Sequence, residues 1–162
     1  MHTAPRHMTR AYFSLGTNLG CRALYLSLGV RMMSLNEVSR TSRVYRSAPV
    51  GGVAQDDFWN LILEVDTLAT PHELLARAQA AEVAAQRTRE VRWGPRTLDV
   101  DIVWIDGVVC DDDELTVPHP RMYERNFVLV PLRELREDLV ENDVLADADG
   151  VVSVLGTLET LL

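Results

Sequence analysis

The chain is poor in the features that cross-link a protein or carry it through a membrane. Only two of its 162 residues are cysteine, Cys21 and Cys110, and neither has a cysteine or histidine at metal-ligand spacing. A disulfide framework is excluded, no zinc site is expected, and both thiols should be reduced. No apolar run reaches the roughly 18 residues of a membrane helix. The opening Met1-His2-Thr3-Ala4-Pro5-Arg6-His7-Met8 lacks the apolar stretch of a signal peptide. The expectation is a soluble, cytoplasmic protein. Lysine is absent altogether, so all 16 basic residues are arginine, against 24 acidic ones. A net charge of -8 argues against general nucleic-acid binding, which draws its affinity from excess positive charge.

What is present suits one domain with an ordinary core: 47% of residues are apolar and 25% charged. Residues 10–15 read as a strand ending in the turn Gly16-Thr17-Asn18-Leu19-Gly20. Residues 21–35 carry a rough helical stripe of Leu24, Leu28, Val30, Met32 and Leu35, weakened by Gly29. Residues 38–47 suit a half-exposed strand, followed by a loop over 48–57 and a second strand over 58–66. Thr70-Pro71-His72-Glu73 matches a helix start, with threonine as N-cap, and the helix should run to about Gln86. From Leu98 to Ile105, Asp99, Asp101 and Val103 alternate against Val100, Ile102 and Trp104, and Asp106-Gly107 signals a hairpin into Val108 and Val109. The order β-α-β-β-α-β with an added hairpin predicts an α+β domain, with helices on one face of an antiparallel sheet.

In Asp99-Val100-Asp101 the two carboxylates project from the same face of a strand, because side chains alternate with period two. They could hold magnesium, which takes a few carboxylate oxygens and fills its other positions with water and phosphate. Such a pair also serves as a solvated face or as an arginine partner. Just upstream lie Arg87, Arg89, Arg92 and Arg96, a local reversal of sign in an acidic chain. Guanidinium groups bind phosphate oxygens bidentately, and arginines beside metal-holding carboxylates are what phosphoryl transfer requires. Pro118-His119-Pro120-Arg121 adds a histidine between two prolines, with Arg125 nearby. A neutral imidazole can donate a hydrogen bond to an oxyanion.

The run Arg92-Trp93-Gly94-Pro95-Arg96-Thr97-Leu98-Asp99-Val100-Asp101-Ile102 resembles the signature of the 6-hydroxymethyl-7,8-dihydropterin pyrophosphokinases of the folate pathway. Supporting matches cover residues 11–135 in family order. They are Gly16-Thr17-Asn18-Leu19-Gly20, Val44-Tyr45-Arg46-Ser47 with Pro49-Val50-Gly51, Phe58-Trp59-Asn60, and Pro118-His119-Pro120-Arg121 with Glu124-Arg125-Asn126-Phe127-Val128-Leu129. Residues 1–9 and 136–162 have no clear match and are expected as an extension and a variable acidic tail of a single 1–162 domain. The tail, with Glu137, Asp138, Glu141 and Asp143, should be solvated surface.

The resemblance implies a ferredoxin-like βαββαβ core and transfer of pyrophosphate from ATP to the pterin hydroxymethyl oxygen, leaving AMP. It implies that Asp99 and Asp101 hold two magnesium ions and that Arg87 and Arg96 stabilise the migrating group. Arg89, Arg92, Trp93, His119 and Arg125 would organise the triphosphate region. Gln79 and Glu82 would line the nucleotide site, with Ile102 and Thr116 near the adenine. For the pterin it implies an edge-reading amide at Asn60, a sandwich of Phe58 and Phe127, and a pocket continued by Ser47, Pro49 and Val50. Partners would be the two small substrates, with no nucleic acid or membrane, for a monomeric enzyme. Cys21 stands where an acidic or hydroxyl residue is expected to cap the first helix. Two readings of other classes are a binding module without catalysis and an RNA-binding domain, the latter disfavoured by the charge.

Overall fold

The computed structural model describes residues 6–49, 55–85 and 97–162. Its core is β1 (Thr9–Thr17), α1 (Arg22–Ser34), β2 (Ser39–Thr41), β3 (Val44–Ser47), β4 (Phe58–Thr67), α2 (Pro71–Ala85) and β5 (Asp99–Ile105). There follow a small hairpin of β6 (Cys110–Asp111) and β7 (Thr116–Val117), then α3 (Asn126–Leu135), α4 (Asn142–Asp147), β8 (Val152–Gly156) and α5 (Leu158–Leu161). Among the described residues every pairing between these strands is antiparallel, and the main sheet runs β5-β1-β4-β3-β8, with β2 also on β4. Without β8 this is the ferredoxin-like order expected from the sequence.

The sheet is buried on both faces. Ala11, Phe13 and Leu15 of β1, Leu61, Leu63 and Val65 of β4, and Val100 and Ile102 of β5 share one apolar cluster with Leu26, Met33, Leu74 and Ala78 of α1 and α2. On the opposite face, Tyr12, Ile62 and Val103 pack with Val128, Leu129 and Leu132 of α3. That third helix, on the face the sequence reading left bare, is the main correction to the expected layering. It is pinned by charge as well as packing. Glu134 accepts from Tyr45 Oη at 2.6 Å and from Arg43 Nε at 2.9 Å. Arg136, just past the helix, donates to Asp106 and to Tyr12 Oη.

Local departures have physical causes. The stripe expected on α1 is partly realised: Leu28, Val30 and Met32 pack at the edge of the core, but Leu24 and Leu35 are about 60% exposed, and the fully buried positions are Ala23, Leu26, Gly29 and Met33. Small residues make the contact because α1 passes close to β1; a Cβ on Gly29 would lie 2.7 Å from Leu15 Cδ2. Cys21 offers no side-chain cap, as its chemistry predicts. On α2 the capping box forms, with Thr70 Oγ1 accepting from Glu73 N and Glu73 returning a carboxylate oxygen to Thr70 N. The single strand expected over 38–47 is interrupted at Ser42, whose hydroxyl accepts from Ile62 N.

Asp106-Gly107 does form a tight turn, with Gly107 at φ +71°, but β5 gains no partner from Val108 and Val109. The hairpin forms later, between β6 and β7, where Asp112 Oδ1 accepts from the backbone of Glu114 and Leu115. A bulge opposite Tyr12 and Phe13 skips Val103 in the register of β5. It turns Trp104 to the α3 face, against the alternation read from the sequence. Glu137, Asp138, Glu141 and Asp143 are exposed as expected, yet the segment around them is not merely solvated: Val140 and Leu158 are buried and β8 extends the sheet.

Candidate functional site

A cleft of about 1110 Å³ opens on the α3 face of the sheet. Its floor follows from strand register. Asp99 of β5 lies opposite Gly16 of β1, which lies opposite Asn60 of β4; one step along, Asp101 faces Ser14. The two aspartates are therefore separated from Asn60 by one small-residue strand, about 10 Å at two interstrand spacings. Gly16 keeps that floor low, because a Cβ there would stand 3.1 Å from Asn60 Oδ1. Asn60 is buried, and its Nδ2 donates to Ser47 Oγ at 2.8 Å. Phe58, from the first position of β4, and Phe127, from the first turn of α3, are half-buried and line the same cleft. Arg125 lies over the Phe127 ring, 5.5 Å from its centroid.

At the carboxylate end, Glu82 of α2 lines the cleft and accepts the Val100 N–H through Oε1 at 2.9 Å, fixing the start of β5. His119 is anchored to the outer edge of the same strand by its N–H on Val103 O. Its Nδ1 accepts from Arg121 N at 3.1 Å, which assigns the ring proton to Nε2. Burial holds the His119 pKa below 6.5, outweighing the attraction of Asp101. The ring is thus a neutral donor near pH 7, beside Asp101 and Arg125 around a small cavity.

Of the residues implicated by the sequence, Asp99, Asp101, Glu82, Arg125, Ser47, Phe58, Asn60 and Phe127 share the cleft, and His119 adjoins it. Gln79 is exposed on α2, Thr116 is exposed on β7 and Pro49 is half-buried; none of them lines the cleft. The Ile102 side chain is buried under α1 and α2, on the face away from Asp99 and Asp101. Arg87, Arg89, Arg92, Trp93, Arg96 and Val50 lie outside the described residues.

The cleft also has walls the sequence reading missed. Ser14 and Gly16 were legible in principle, as the inward phase of β1. Tyr123, Glu124 and the stretch from Asp149 to Val152 carried no local signal. The last of these is held in place by Asn126, whose Nδ2 donates to Ala148 O and Gly150 O.

Fold and cleft together define an α+β enzyme of the ferredoxin-like class, with a site that pairs hard carboxylates with a half-buried aromatic pocket. Residues 12–137 match the family described as 7,8-dihydro-6-hydroxymethylpterin-pyrophosphokinase (HPPK), and the chain belongs to that family of transferases. It is 42% identical over 142 residues to a Bacillus subtilis 2-amino-4-hydroxy-6-hydroxymethyldihydropteridine pyrophosphokinase, covering 86% of this chain and 85% of the relative. It is 43% identical over 136 residues to the Methylorubrum extorquens protein of the same name, covering 82% and 86%. Among solved structures, a Plasmodium falciparum HPPK-DHPS chain shares the fold with a TM-score of 0.63 at 13% identity. That alignment covers 98% of this chain but 43% of the other, so the present chain spans less than half of the fused protein. Family members use ATP as co-substrate. Among the described residues no helix is long and apolar enough to cross a membrane.

Proposed function

We propose that this chain transfers the β,γ-pyrophosphoryl group of ATP to the hydroxymethyl oxygen of 6-hydroxymethyl-7,8-dihydropterin, releasing AMP. The observation that carries the reading is the row Asp99, Gly16, Asn60 across three strands. It sets two carboxylates and a heterocycle-reading amide at the two ends of one floor. A flat bicyclic ring fits between Phe58 and Phe127, with Asn60 offering a donor and an acceptor to its edge. Ser47 holds that amide, and the family resemblance adds Pro49 and Val50 to the pterin site.

Asp99 and Asp101 fit magnesium: both offer hard oxygens from the same face of β5, on the cleft side. In this reading they hold two ions, which when bound would neutralise triphosphate charge and align its oxygens. His119 donates from Nε2 to a phosphate oxygen, and Arg125 adds fixed positive charge. Arg87 and Arg96 stabilise the migrating group, with Arg89, Arg92 and Trp93 ordering the triphosphate; these roles rest on the family resemblance. The resemblance also assigns Gln79 and Glu82 to the border of the nucleotide and Ile102 and Thr116 to the neighbourhood of the adenine. The chain acts as a single-domain, cytoplasmic monomer.

The test is to incubate the protein with ATP, magnesium and the hydroxymethyldihydropterin and to separate the nucleotides. AMP formed in step with pterin pyrophosphate, and only with magnesium, is the expected result. ADP would mean an ordinary kinase, and pterin binding without turnover a binding module.

A further inference from the structure

At the start of α2, away from the residues that line the cleft, the fold brings His72 together with two side chains of the β6-β7 hairpin, Cys110 and Asp112. His72, in the first turn of α2, places Nε2 2.8 Å from Asp112 Oδ2. Cys110, from β6, places Sγ 3.7 Å from the same oxygen. One ligand atom from each of the three lies within 4.8 Å of the others. We propose that His72, Cys110 and Asp112 form a binding site for one zinc-class divalent cation, separate from the catalytic cleft and bridging α2 to the β6-β7 hairpin.

Three features support the site. Zinc bonds of about 2.0–2.3 Å in a tetrahedron put ligand atoms about 3.3–3.8 Å apart. The Cys110 to Asp112 distance already meets that spacing, and the His72 ring, exposed at the helix start, has room to swing away from Asp112 and towards Cys110, all three ligand atoms lying within 4.8 Å. Asp112 is also oriented from behind, because its Oδ1 accepts the backbone N–H groups of Glu114 and Leu115 at 2.9 Å each. That leaves Oδ2 directed at the other two ligands, the way outer contacts orient a metal-binding carboxylate. Finally, the donor set is thiolate, imidazole and carboxylate, which selects zinc-like ions over magnesium, whereas Asp99 and Asp101 offer only hard oxygens. The fourth position is open to water. Sequence spacing concealed the cluster, since His72 comes from a different element than the hairpin.

The test uses the untagged full chain, freed of metal by a chelator and kept in excess magnesium so that hard-oxygen sites are occupied. Zinc is titrated against a chromophoric competitor, and cobalt is used separately to read thiolate ligation from its near-ultraviolet charge-transfer band. The expected result is one zinc per chain, a cobalt-thiolate band, and a zinc-dependent rise in melting temperature. Cys110→Ser should abolish the band, and it, His72→Gln and Asp112→Asn should each weaken zinc by about 100-fold or more. Cys21→Ser should leave all three readouts unchanged. The proposal is overturned if the wild-type chain shows no cobalt-thiolate band, if Cys21→Ser removes it, or if zinc affinity survives both Cys110→Ser and His72→Gln; His72 and Asp112 would then be a plain ion pair beside a bystander thiol.

Discussion

The Asn60 amide nitrogen donates a 2.8 Å hydrogen bond to the Ser47 hydroxyl across the β3-β4 pair, so the orientation of the amide proposed to read the pterin edge is set by its neighbour. Ser47→Ala removes that restraint without touching the rest of the floor. One neutral hydrogen bond is worth about 0.5–1.5 kcal/mol. The pterin KM should therefore rise about 3- to 10-fold with kcat little changed, as steady-state kinetics would show. An equal fall in kcat would place Ser47 in the chemical step instead.

Asp101 is exposed on β5, so its removal costs the fold little. Asp101→Ala should keep the wild-type melting temperature while kcat falls by about 10³-fold or more, since it takes away one of the two carboxylates proposed to hold magnesium. Near-full AMP production by this variant would refute the metal assignment.

His119 should leave a mark on the pH dependence of stability. Its folded pKa lies below the unfolded value of about 6.5, chiefly through burial. Between those two values the unfolded chain binds more protons than the folded one, so stability rises with pH through that window and falls as the pH drops below about 6.5. Denaturant titrations from pH 7 to pH 5 should show this loss in the wild type and less of it in His119→Gln. Parallel curves would mean that the imidazole does not contribute.

Gly29→Ala sets helix propensity against packing. Alanine gains up to about 1 kcal/mol within a helix, whereas overpacking a buried site costs about 1–3 kcal/mol. The new methyl would lie 2.7 Å from Leu15 Cδ2 and 3.3 Å from Leu98 Cδ2. A net loss of about 1 kcal/mol is expected from the denaturant midpoint. A stabilised variant would show that Leu15 can swing aside.

The readable parts of the sequence were those governed by local rules. Period-two alternation located Asp99 and Asp101 on one face of β5, and the capping box started α2 where Thr70 stands. Asn60, Phe58 and Phe127 were reached by family resemblance alone, because an aromatic destined for a cleft looks like one destined for the core. Elements set by tertiary contact were missed. Helix α3 contains Pro131, and the reading took its sequence only as part of a motif. Strand β8 borrows its partner from β3, more than a hundred residues earlier. The buried face of α1 was read only in part, because two of its contact residues, Ala23 and Gly29, are small, while the more hydrophobic Leu24 points to solvent.

The extra residue in β5 opposite Tyr12 and Phe13 separates two demands that would otherwise conflict on one short strand. Before it, the phase of the strand is dictated by the carboxylates at the cleft; after it, by the need to seat Trp104 against α3 and Ile105 under the other helices. Selection can therefore tune the far half of β5 for packing without rotating the reactive half out of alignment. By the same logic, deleting Val103 would be a far harsher lesion than replacing it, because it would force catalysis and core to share a single phase again.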